Sequence, residues 1–382
     1  MATAQTTELV STAYAAFNTT HIQTAYQAQT VPPRQIHNGM KHYQTAIPLP
    51  CSDCLITAMQ AQLLYPNGSL ADASTGIWLH HVVLLNAARQ DSVCASAAAQ
   101  RFFASGNERT KVDLTNQGTR KIGYPIQTND SLVMAVELMN MRTTPQEVQL
   151  SMLWDYIPSI PHDFKQAVPY WLDISGCGNS EMPAFADQKF HYSSPAVPAG
   201  FDGEVVFIAA HLHDGGTEVS VLRNGIRACT AYATYGSSGD GAAHITTMQT
   251  CLNVGRVKKG QRWAVTAEYD TVMHKPMVTN EGALEPVMGI ALAYVIPSSR
   301  SAGLGVSRGL VVMAIVLVVL FTGLLGLYIV RTYWVQSLPD RIRRRGWQRV
   351  NATGEAEDEE VEEALLQCHG QDGSARSLEG VK

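Results

Sequence analysis

The stretch EVVFIAAHLHDGGTEVSVLRNG, residues 204–225, reads as two strands and two turns. Residues 205–210 form an apolar run rich in β-favouring side chains, and Asp214-Gly215-Gly216 breaks it. Residues 218–223 then resume the strand pattern, and Asn224-Gly225 is a strong two-residue hairpin signal. The grammar is that of a β protein.

Working outward, the same pattern recurs at 55–65, 79–85, 132–139, 148–156, 262–269 and 287–295. Turn signals such as Pro66-Asn67-Gly68 separate these runs. No long amphipathic helix competes, and no repeat of 20–50 residues is present. The expected fold is mostly β, with two tandem jelly-roll or β-sandwich domains. The first occupies residues 45–157 and the second 204–296. Residues 1–44 are expected as an N-terminal flank, 158–203 as a linker and 297–308 as a stalk.

Residues 309–330, GLVVMAIVLVVLFTGLLGLYIV, carry no charge. As a helix they extend roughly 33 Å, enough to span a bilayer. Arg308 precedes the run, whereas six arginines and one aspartate occupy 331–350. Positive charge on the C-terminal side predicts a cytoplasmic C-terminus and an extracytoplasmic N-terminus, in the plasma membrane or a secretory-pathway membrane. The basic collar is followed by an acidic tail that ends the chain over 331–382, expected to be disordered. The first 21 residues lack the basic and apolar regions of a signal peptide, so export is expected to rest on the span itself or on a different start.

The overall net charge of −5 offers no polybasic face and excludes nucleic acid as the main partner. Asn18, Asn67 and Asn129 begin glycosylation sequons. Cys51, Cys54, Cys94, Cys177, Cys229 and Cys251 precede the apolar run, and Cys368 follows it. An even external count suits disulfides; Cys51-Ser-Asp-Cys54, without a second such pair, favours a disulfide over zinc.

Two histidine motifs carry chemistry. His211 and His213 lie two apart at a strand end, so both project from one face and can chelate one ion. His80 and His81 are adjacent, and joint ligation would need a bulge or a strand end. Met288, where a strand begins, offers a thioether; beside two imidazoles it would suit copper. No phosphate loop, nucleophile elbow or H-E-x-x-H sequence occurs.

The order HH, HxH, Met across two β domains resembles the copper type II, ascorbate-dependent monooxygenases. More closely, AAHLHDGGTEVSVLRNGIRACTAYATYG, CLNVGRVKKGQRWAVTAEYD and PVMGIALAYV resemble the stress-up-regulated nodulin-like proteins and their fungal single-pass membrane relatives. The resemblance covers roughly residues 45–296. It implies two copper sites in separate domains across a solvent gap. His211, His213 and Met288 match the oxygen-activating site; His80 and His81 match the electron-transfer site. The third histidine of the latter is missing from LVMAVELMN (132–140), where Glu137 or Met139 would have to substitute. His244, His274 and Met277 are further ligand candidates in the second domain, and a Cys229–Cys251 disulfide would brace the site. The resemblance thus implies copper- and oxygen-dependent hydroxylation of an unknown substrate, with ascorbate or another external reductant. The alternative is a non-catalytic copper-binding, ligand-recognition or adhesion ectodomain, taking a small-molecule, peptide or glycan ligand.

Overall fold

Each of the β-rich runs read between residues 55 and 295 forms a strand. Cys54–Leu64, Ile77–Asn86, Leu132–Asn140, Gln146–Ile157, Gly203–Leu212, Gly216–Arg223, Arg262–Asp270 and Gly289–Pro297 lie within two residues of the expected bounds in the computed structural model. That structure describes residues 4–9, 17–237 and 242–298; the expected membrane span at 309–330, the basic collar and the acidic tail lie outside the described residues. Among the described residues no helix is long and apolar enough to cross a membrane.

The strands pair into four sheets, two to each sandwich. In the first sandwich an eight-stranded sheet centred on Gln146–Ile157 and Cys54–Leu64 faces a four-stranded sheet. The latter runs in the order Met40–Ile47, Leu132–Asn140, Ile77–Asn86, Gln100–Ser105. In the second sandwich the order Val168–Asp173, Gly289–Pro297, Gly203–Leu212, Cys251–Val257 makes one sheet. Six strands around Arg262–Asp270 and Gly216–Arg223 make the other. The Asn224-Gly225 hairpin forms as expected: both residues have positive φ (52° and 79°), and Arg223 pairs with Ile226 across the turn.

Two expected boundaries move. Residues 158–203 are not a linker, because Val168–Asp173 pairs with Gly289–Pro297 and Lys189–Ser193 with Arg262–Asp270. The N-terminal flank likewise enters the first sandwich: Thr20–Ala25 pairs with Gln146–Ile157, and Met40–Ile47 with Leu132–Asn140. The edge strand Met40–Ile47 has a mixed, polar pattern, MKHYQTAI, so apolar alternation does not mark it.

One sheet positions everything that follows. Along Gly289–Pro297, Ile290, Leu292, Tyr294 and Ile296 join the core shared with the first sandwich, while Ala291, Ala293 and Val295 join the second sandwich's own core. Strict alternation with both faces buried makes this sheet a shared wall. Its outer face lies against the edge strand Gln100–Ser105. There Tyr294 donates from its hydroxyl to the Phe102 carbonyl at 2.6 Å. The Arg101 guanidinium sits 4.6 Å from the Trp171 ring centre. The Cys94–Cys177 disulfide ties the two sandwiches covalently, while Cys51–Cys54 and Cys229–Cys251 are local bridges.

Candidate metal centre

Adjacent histidines on a regular strand would point opposite ways. Here they do not, because the ladder skips a residue. Glu137 pairs with His81 and Leu138 with Leu79, which leaves His80 as the extra residue of a β-bulge. The two rings consequently turn toward each other, with Nδ1 atoms 3.2 Å apart.

His211 rides the wall sheet on the face that meets the first sandwich: its neighbours Ala210 and Leu212 belong to the second core, and Ala209 to the shared one. His213 follows just past the strand end. Both rings reach across the seam. His81 Nε2 lies 3.1 Å from His211 Nε2 and 2.8 Å from His213 Nε2. Ring nitrogens of His80, His81 and His213 also fall within 4.8 Å of one another.

The far side of each ring is anchored. His81 Nδ1 faces Glu137 Oε2 at 2.8 Å, His211 Nδ1 faces Glu108 Oε1 at 3.1 Å, and His213 Nδ1 donates to the Pro286 carbonyl at 2.6 Å. Acceptors on Nδ1 fix the proton there and leave the Nε2 lone pair free. The His211 and His213 lone pairs both face that of His81, an arrangement that repels unless a cation sits among them. The donor set therefore fits a metal ion of imidazole preference, such as copper or zinc.

Electrostatics favour the ligating forms. Burial, reinforced by the neighbouring His80, lowers the His81 pKa to about 3, and burial holds His213 well below its usual value. Burial opposes ionisation of Glu108 and Glu137 too, but their histidine partners outweigh it and hold both below the ordinary carboxylate range. Neutral imidazoles backed by carboxylates are the protonation states a metal requires.

The resemblance implied two centres across a solvent gap; the structure instead brings the HH and HxH pairs together at one seam. The reason is the wall sheet, whose outer face carries His211 directly onto the strand bearing His81. Met288 is buried in the shared core and lines a cavity that also contains His81 and His211, while its carbonyl accepts from Tyr269. Glu137 reaches the centre but as an anchor of imidazoles, including His42 at 3.1 Å. Met139 turns away, to pack with Trp78. His244 pairs with Asp214 at 2.5 Å, and His274 stacks on Tyr235 at 3.7 Å. The sequon residues Asn18, Asn67 and Asn129 are all exposed.

Two cavities flank the centre. The larger, about 470 Å³, has His81, His211 and Glu137 in its wall together with Val83, Trp171, Met288 and Ile290. The smaller, about 30 Å³, touches His80, His211, His213 and Glu285. Glu108, Pro286 and Gly106 were missed from sequence. A Cβ on Gly106 would come within 2.8 Å of Glu108, His211 and the His80 carbonyl, so only glycine leaves room.

An all-β protein whose two sandwiches bring His80, His81, His211 and His213 together at their seam is the class that fold and site define. Residues 166–281 match the Stress up-regulated Nod 19 family. The probable copper-dependent oxygenase M1 of Phoma sp. is 40% identical over 274 residues, covering 71% of each chain. The probable copper-dependent oxygenase clz3 of Cochliobolus lunatus is 41% identical over 62% of this chain and 78% of its own. The chain belongs to this family of probable copper-dependent oxygenases. Among solved structures, a peptide-N(4)-(N-acetyl-β-D-glucosaminyl) asparagine amidase covers 74% of this chain and 97% of its own at 10% identity, with a TM-score of 0.37.

Proposed function

We propose that this protein is a copper-dependent oxygenase with one metal centre at the seam, held by His81, His211 and His213 with His80 beside them, that hydroxylates a small molecule. The observation that carries this is the approach of the His211 and His213 Nε2 atoms of one sandwich to within 3.1 Å of His81 Nε2 of the other, each ring anchored at Nδ1. When bound, copper supplies one-electron chemistry toward dioxygen, with ascorbate or another external reductant as electron source. The chain's own residues do the rest. Glu137, Glu108 and the Pro286 carbonyl orient the imidazoles, and the larger cavity offers Val83, Trp171 and Ile290 as an apolar surface for substrate beside His81 and His211.

On this proposal the sandwiches are jelly-roll-like and residues 309–330 tether them to a plasma or secretory-pathway membrane, with the sequons on the extracytoplasmic side. The deciding experiment is metal analysis of the purified protein, paired with ascorbate-dependent oxygen consumption. About one copper per chain, lost in His211→Ala, is expected. No copper, or copper indifferent to that change, refutes the centre. Copper without oxygen consumption selects a binding ectodomain.

A further inference from the structure

The methionines of this chain are not evenly spread. Met40, Met139, Met141 and Met277 gather around the Trp78 indole, two residues before His80 on the same strand. Met141, Met273 and Met277 line an open groove of about 350 Å³. Met273 stands at the groove's surface, 70% exposed, while Met139, outside the groove lining, is buried against Trp78. Met277 belongs to both sides: it lines the groove and also the small cavity that contains His80, His211 and His213. Thioethers thus line the way from the exposed groove to the small cavity beside the histidines.

Packing accounts for the deep end alone. A methionine against an aromatic ring is a favourable and common arrangement. It does not account for a bare thioether at the mouth, nor for Met277 as the partition between groove and centre. Thioether sulfur is neutral, soft and never protonated in water, so it binds Cu(I) but holds Cu(II) poorly. Beyond it the small cavity opens onto His80 and His213, which are only partly buried, and onto His211, which is buried.

We propose that this groove is a Cu(I) entry site, in which Met273, Met141 and Met277 capture cuprous ion and pass it to His80 and the centre behind it. The assignment rests on the copper reading of that centre. No bond is made or broken on the chain and no electron moves; ligands exchange one for another.

The test is copper uptake by the metal-free full chain. Cu(I), presented anaerobically as its acetonitrile complex, and Cu(II), presented as a simple salt, are followed by stoichiometry and rate. Met141→Leu/Met277→Leu keeps volume and removes both sulfurs. Slowing of Cu(I) uptake by about tenfold or more, with Cu(II) uptake and final stoichiometry unchanged, is the expected result. Unchanged Cu(I) uptake overturns the proposal, and so does equal slowing of both ions, which would mark a steric gate. A wild-type chain that takes up neither ion overturns the histidine centre, and this entry site with it.

Discussion

At the scale of single residues, the centre depends on groups that are not ligands. Glu108 Oε1 lies 3.1 Å from His211 Nδ1 and is buried. Glu108→Gln keeps its shape but gives up the carboxylate. Copper affinity is expected to fall about 10–100-fold, with unfolding little changed, as measured by chelator competition. An unaltered affinity would remove Glu108 from the assembly. Gly106→Ala is expected to damage the same site by volume, since its Cβ meets three neighbours at 2.8 Å. Acid acts on the same groups with a definite sign. His81, with a pKa lowered to about 3, and His213 bind protons more readily in the unfolded chain, and so do Glu108 and Glu137. The metal-free protein should therefore lose stability steadily as pH falls from about 6.5, the unfolded histidine value, toward 3. Thermal melting across that range checks this, and a flat profile would contradict it.

At the scale of elements, the sequence announces hairpins and hides seams. Asn224-Gly225 was legible because a two-residue turn writes its chemistry locally. With φ of 79° at Gly225, Gly225→Ala should cost about 1 kcal/mol in denaturant unfolding without touching copper binding. The HH motif was half legible. Its need for a bulge follows from strand geometry, but where the ladder slips depends on Leu132–Asn140 pairing across it. Glu108 was not legible at all. Its partner lies 103 residues away, and a lone glutamate near a strand end has no signature.

At the scale of the whole molecule, partition into two centres was the expectation that failed. Pattern alone marks Gly289–Pro297 as apolar on both faces but does not say what lies on each. One face turned out to be the seam, and the seam is where the histidines meet. Cys94–Cys177 is the bridge that crosses it. Cys94→Ala/Cys177→Ala should weaken copper retention as well as stability, whereas removing the local Cys229–Cys251 bridge should cost roughly 3 kcal/mol and leave copper affinity nearly intact. Calorimetry with and without copper separates the two effects; equal copper loss in both variants would argue against a seam-dependent centre.

The bridging of two sandwiches by one cluster of rings has a consequence for how the chain matures. Each half alone presents a bare pair of imidazoles, His80 with His81 or His211 with His213. A pair holds copper far less firmly than three rings that converge from both sides. Copper would thus be retained only after the halves dock, so that a redox-active ion is not left on a nascent or misfolded chain. On the copper reading, metal retention would then serve as a proofreading step on assembly.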